Sequence, residues 1–183
     1  VLDNITVGRE SLMSTLAKLP KAAIINVEQA SYSTFCAPFD VAIPEGLAAY
    51  TITIDTIDAI VKLTALKEVI PTNTPTVLYA EEGYGPYYVC GETEAQEQTC
   101  SDGNLTGVLS AQIESNGYVL QKMEDGTVGF HKQEHPTAIT KNSCFIPADR
   151  VPKEIELLLL KIQEDNTGIS QMHTGQIGNS IQA

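Results

Sequence analysis

The sequence predicts an all-β protein, an antiparallel sandwich or partly closed barrel with a short N-terminal helix. Three observations carry that expectation. First, residues 34–55, TFCAPFDVAIPEGLAAYTITID, hold two runs that alternate with period 2. Val41 and Ile43 alternate with Asp40 and Ala42, and Tyr50, Ile52 and Ile54 alternate with Thr51, Thr53 and Asp55. Such runs are strands with one dry face, and Pro44-Glu45-Gly46 between them reads as a reversal. Second, residues 118–123 and 127–131 flank Asp125-Gly126, the strongest hairpin signal in the chain. Asp-Gly supplies positive φ at both central positions of a type I′ turn. Third, short β patterns follow one another between turn signals, with no helix-length periodicity between the first strands and residue 150.

Element by element, residues 9–20, RESLMSTLAKLP, form the short helix, because Leu12, Leu16 and Leu19 fall at helical spacing and Pro20 closes the run. Ile24, Ile25 and Val27 begin the strands. Residues 59–69 suit either period. Ile60, Leu63 and Leu66 lie near helical spacing, while Val61, Leu63 and Ala65 alternate, and the flanking strands favour the strand. After Ile70-Pro71 and a polar turn come a strand over 76–80, a tight connection over 82–86 and a strand from Tyr87. Asn116-Gly117 reads as a second hairpin turn, closing 105–115 against the strand that starts at Tyr118. Strands over 142–146 and 155–162 follow. Residues 168–183, rich in Gly, Gln, Ser and Asn, read as a linker or disordered end. The chain divides into an N-terminal extension (1–22), a β domain (23–165) and a flexible tail (166–183).

A chain of 183 residues is one domain in size and can bury about two-thirds of its unfolded surface. Hydrophobic content of 43% and a mean hydropathy of −0.04 are globular values. The net charge of −12 repels phosphate backbones and anionic lipid, which argues against nucleic-acid and peripheral-membrane partners. No apolar run approaches the roughly 18 residues that span a bilayer. The longest, Leu157 to Leu160, is flanked by Glu156 and Lys161. The opening at Val1 is that of a processed or truncated chain, so a missing leader carries no weight.

Four cysteines need placing. Cys90 and Cys100 bracket GETEAQEQT, a polar acidic stretch without apolar anchors, and a disulfide between them would close that loop. Closing it would contribute roughly 2–3 kcal/mol in the chain-entropy account. Cys36 and Cys144 lie in strand-like runs and are either core thiols or a second bridge. The cysteine usage points to an oxidising compartment. No C-x-x-C or Cys/His spacing suggests zinc, and no cofactor is implied.

Other chemistry is weaker than its bland alternative. His131 and His135 stand four apart, but one ends a strand and Pro136 follows the other, so surface histidines outweigh a metal pair. Cys36 with His131, His135 or His173 would make a thiol nucleophile, yet Phe35 and Phe39 around it point to a core thiol. Ser101-Asp102-Gly103-Asn104 reads as a turn, because calcium-loop spacing is absent. Glu92, Glu94 and Glu97 read as a solvated loop face, and Gly83-Tyr84-Gly85 lacks the residues of a phosphate cradle. Tyr79, Tyr84, Tyr87 and Tyr88 concentrate aromatic surface that either binds carbohydrate or protein or simply follows strand propensity.

The segments TFCAPFDVAIPEGLAAYTITI, VIPTNTPTVLYAEEGY, GVLSAQIESNGYVLQKMEDGTVGFHK and KNSCFIPA resemble, in order, a β-rich module of secreted and surface proteins of Bacteroides and related bacteria. That module often stands beside leucine-rich repeats or peptidase domains. The resemblance covers roughly residues 25–165 and rests on turn and core motifs. It implies export to a secreted, periplasmic or cell-surface location and a non-catalytic role in adhesion or support of a neighbouring domain. It implies no catalytic residues. The partner would be a protein or a glycan, and other domains of a larger parent chain are compatible with it. The competing readings are a carbohydrate-binding module using the four tyrosines and an enzyme inhibitor acting through the loop between Cys90 and Cys100. Asp55-Thr56-Ile57 also resembles the O-glycosylation site of these bacteria, with Thr56 as acceptor.

Overall fold

The computed structural model describes residues 21–25, 27, 31–82, 86–92, 97–110 and 112–163. The helix expected over 9–20 and the tail from 166 lie outside them. Period-2 alternation becomes strand wherever it is clear. The first half carries β1 (Lys21–Ile25), β2 (Ser31–Phe35), β3 (Val41–Ala42), β4 (Leu47–Asp55) and β5 (Ile60–Leu66). β6 (Val69–Ile70), β7 (Thr76–Ala80) and β8 (Tyr87–Gly91) follow. Next come β9 (Thr99–Ser101), β10 (Thr106–Val108), β11 (Ile113–Ser115), β12 (Gly117–Lys122) and β13 (Val128–Lys132). β14 (Thr137–Ile139), β15 (Cys144–Pro147), a 3-10 turn (Ala148–Arg150) and β16 (Leu157–Ile162) complete the series. The all-β expectation holds among the described residues, and residues 60–66 are strand rather than helix.

Ten strands form one sheet in the order β2-β7-β4-β5-β16-β13-β12-β15-β10-β9. It curls without closing into a barrel. Its inner face gathers Tyr50 and Ile52 of β4, Val61 and Leu63 of β5, Leu158 of β16, Phe130 of β13, Tyr118 of β12 and Ile146 of β15. Each of these buried side chains contributes about 1.5–3 kcal/mol by leaving water. Tyr118 keeps its hydroxyl satisfied by donating to Ile155 O at 2.6 Å. The outer face is dry in two places. Leu47 and Ala49 of β4, Leu78 and Ala80 of β7 and Phe35 of β2 pack with Ala23, Ile25 and Val41, under the two-stranded pieces β1-β8 and β3-β6. Val108, Phe145 and Ile139 make a smaller cluster beneath β11-β14. β4 and β7 are therefore buried on both sides.

Four expectations change. The sheet is mixed, not purely antiparallel: β16 runs parallel to β5, from Leu159 opposite Ile60 to Ile162 opposite Leu63, and antiparallel to β13. Leu158 and Leu160 supply the apolar inner face that makes this central position favourable. The Pro44–Gly46 reversal is a turn, with Leu47 N–H donating to Pro44 O at 3.2 Å and Gly46 at φ 75°. It makes no hairpin, because β4 is already flanked by β5 and β7 while β3 pairs with β6. Asn116-Gly117 likewise folds no strand back: β11 pairs with β14, and β12 with β13 and β15. Gly117 is needed there because a Cβ would land on the Ile146 carbonyl oxygen. The Asp125-Gly126 hairpin forms, but around three residues. Met123 N–H donates to Thr127 O at 2.8 Å, and of Asp125 and Gly126 only the glycine has positive φ, 86°. That is the three-residue loop with a left-handed glycine rather than a type I′ turn.

Candidate functional site

The candidate site is the seam where the curled sheet comes back on itself. β2 is one edge strand, and its far end meets the start of β15. Thr34 Oγ1 donates to Cys144 O at 3.2 Å and accepts from Cys144 N–H at 2.9 Å. Cys36 N–H donates to Asn142 O at 3.2 Å, and Asn142 Nδ2 donates to Cys36 O at 2.8 Å. Asn142 takes φ 65° to do so, a conformation that asparagine tolerates better than most side chains. Beside the seam runs a groove of about 220 Å³ touched by Tyr32, Thr34, Leu120, Ile139 and Cys144. It falls below the usual volume of a small-molecule pocket, about 300–1,000 Å³.

Three of the four cysteines converge under this seam. Cys100 on β9 and Cys144 on β15 are both in register with Gly107 of β10, one on each side of it. Cys36 sits over the glycine: a Cβ built on Gly107 would lie 2.5 Å from Cys36 Sγ and 3.0 Å from Cys100 Sγ. Cys36 Sγ also approaches Val108 O at 3.5 Å and Ser143 O at 3.7 Å. The hydrogen bond from Cys100 favours the Cys36 thiolate, but the hydrogen bond to Cys144, burial and the charge on Cys144 outweigh it and push the thiol up. The hydrogen bond to Cys36, then burial, push the Cys100 thiol up too. In the folded chain both thiols are therefore held protonated and react slowly as nucleophiles.

Cys90 is elsewhere. It lies exposed on β8, opposite Ala22 of β1, whereas Cys100 belongs to the large sheet and packs against its interior. All four cysteines are free, so the expected bridge between Cys90 and Cys100 is not made. The cause is topological: the two strands that carry them diverge into different sheets instead of forming one hairpin. Cys36 and Cys144 are both buried in the core and are not bridged to each other.

The tyrosines do not share a surface. Tyr79 faces the inner core and stacks on Tyr32, ring centroids 4.9 Å apart and tilted 51°. Tyr87 packs on the outer cluster and donates to Glu45 O at 3.2 Å, while Tyr88 points outward, 78% exposed. Tyr84 lies outside the described residues, as do Glu94 and His173. Tyr88 stands directly opposite Ile24 of β1, itself 58% exposed. This apolar pair on an outer two-stranded sheet was invisible in the sequence, because only the register places the two residues side by side.

Two of the remaining acidic side chains hold turns. Asp102 Oδ1 accepts from Asn104 and Leu105 N–H at 2.8 and 2.7 Å, which makes 101–104 the expected turn. Asp55 Oδ1 accepts from Ile57 and Asp58 N–H at 3.1 and 3.2 Å, and its Oδ2 meets Lys62 Nζ at 2.7 Å. Thr56 is exposed on that turn. His131 is half-buried rather than on the surface, and its Nε2 is shielded without a hydrogen-bond partner, while His135 is exposed. Among the described residues no group of His, Cys, Asp and Glu is arranged to hold a metal, and no helix is long and apolar enough to cross a membrane. No family model, no curated protein and no solved structure matches this chain.

Proposed function

We propose that the chain is a non-catalytic module of a secreted or surface protein, mediating adhesion or supporting a neighbouring domain. The observation that carries this reading is the Ile24 and Tyr88 pair. Two large apolar side chains face outward from β1-β8, while the opposite side of the same two strands, Ala23, Ile25, Tyr87 and Val89, is packed on the outer core. A rigidly backed aromatic and aliphatic pair is the kind of feature that anchors a protein contact. The resemblance to exported β-modules supports the same reading, as does the acidic charge, which turns the chain away from nucleic acid.

The experiment is a pull-down against candidate surface proteins, run beside a glycan array, with the wild-type chain and an Ile24→Asp/Tyr88→Asp double variant. Binding of a protein is expected to weaken at least about tenfold in the variant, with an unchanged circular-dichroism spectrum and a blank glycan array. Equal binding by both chains would remove the strip from consideration. A glycan signal lost with Tyr88 would favour the carbohydrate reading, and turnover of any substrate would end the non-catalytic one.

A further inference from the structure

β2 and β9 are the two edge strands of the ten-stranded sheet, and a thiol belongs to each: Cys36 follows the last residue of β2, and Cys100 is the middle residue of β9. Their sulfurs lie within 3.0 Å of one point above Gly107, the residue whose missing side chain lets Cys36 settle there. Cys144 competes for Cys36 from the other side of that glycine. Cys100 and Cys144 cannot join each other. They are two strands apart, about 10 Å at the usual strand spacing, beyond the roughly 7 Å that a disulfide spans. Cys144 is fully buried and its backbone is held on both polar groups by Thr34, whereas Cys100 is partly exposed and is the thiol an oxidant meets first.

We propose that Cys36 and Cys100 form a disulfide that links the two edge strands of the curled sheet covalently, β2 and β9 being unpaired with each other among the described residues. With oxidised glutathione, the Cys100 thiolate attacks one glutathione sulfur, the glutathione S–S bond breaks and one glutathione thiolate leaves. The Cys36 thiolate then attacks the Cys100 sulfur of the mixed disulfide and expels the second glutathione. Two cysteines are oxidised by two electrons, one glutathione disulfide is reduced to two thiols, and the two cysteine protons pass to the leaving thiolates. Because burial disfavours both thiolates, closure is faster while the chain folds than after it has folded.

The test refolds the full chain in a glutathione redox buffer, blocks free thiols with N-ethylmaleimide in denaturant so that buried thiols are reached, and digests without reduction using a protease that cuts after glutamate. Cleavage at Glu28, Glu45, Glu92, Glu97 and Glu114 puts Cys36, Cys90 and Cys100 on separate peptides. Mass spectrometry is expected to find the peptides of Cys36 and Cys100 joined, with Cys90 and Cys144 blocked. Joining of Cys90 to Cys100, joining of Cys36 to Cys144, or four blocked thiols would overturn the assignment. Reduction should lower Tm by roughly 10 °C in the wild type and in Cys90→Ser, and leave Cys100→Ser unchanged. An equal fall in Cys100→Ser would also overturn it.

Discussion

The wall formed by β7, β4 and β5 and the wall formed by β15, β10 and β9 enclose the same interior but are held by different means. In the first, β4 alone makes seven register pairs with β5 and four with β7, and apolar side chains are buried on both faces of β4 and β7. In the second, β10 makes two pairs with β15 and three with β9. Its inner row is Cys100, Gly107 and Cys144, and single polar contacts from Thr34 and Asn142 do much of the joining. Long strands spread their stability over many contacts, whereas short ones concentrate it in a few atoms. The cost per atom changed should therefore be higher in the second wall.

Variants at four positions test that contrast, all by denaturant unfolding in reducing buffer except the last. Leu63→Ala in the first wall removes a fully buried side chain and should cost about 4 kcal/mol. That is the largest loss, but three methyl-sized groups are deleted to reach it. Gly107→Ala adds one carbon atom that would sit 2.5 Å from Cys36 Sγ, and should cost about 2–3 kcal/mol by overpacking. A neutral result would mean that the second wall is slack and would erase the contrast. Asn142→Ala loses the hydrogen bond to Cys36 O and places alanine at positive φ, so about 2 kcal/mol is expected. Asn142→Gly relieves the backbone and should recover about half of that. The smallest effect belongs to Asp55 at the end of β4. The hydrogen bond with Lys62, then those from the Asp58 and Ile57 N–H groups, hold its carboxyl below the ordinary 3.8. A depressed folded value means that its stabilisation is complete above the ordinary carboxylate range and is lost as pH falls through the lowered value. A plot of Tm against pH should therefore flatten slightly in Asp55→Asn from about pH 5 downward. An unchanged slope would show that this half-buried ion pair adds nothing.

Much of the fold was legible because alternation reports which face of a strand is dry. β4, β5, β7, β12 and β13 all appear where the pattern put them, and Cys36 and Cys144 are in the core. What alternation does not report is the neighbour. Pro44-Glu45-Gly46 turns the chain, yet the strands it separates part company, since β4 finds better partners in residues 60–66 and 76–80. Adjacent cysteines in the chain, Cys90 and Cys100, suggested a loop closed on itself. Instead, the thiols that meet are 64 positions apart (100 minus 36), brought together by the curl of a sheet and by a glycine between them. The tyrosines teach the same lesson: Tyr87 and Tyr88 point to opposite faces because they are consecutive in a strand, so a local concentration in sequence is divided in space.

The central place of β16 has a consequence for synthesis. The sheet falls into two sets of strands, β2-β7-β4-β5 and β13-β12-β15-β10-β9, and within its strand order only β16 joins them. Residues 157–162 leave the ribosome after every other strand described here, so β5 and β13 expose unpaired backbone edges until those residues emerge. Such edges invite pairing with other nascent chains. The two sets of strands stay unfinished on their β5 and β13 edges until β16 arrives and completes both at once. A stop introduced after Glu156 should therefore yield aggregates rather than a smaller folded domain.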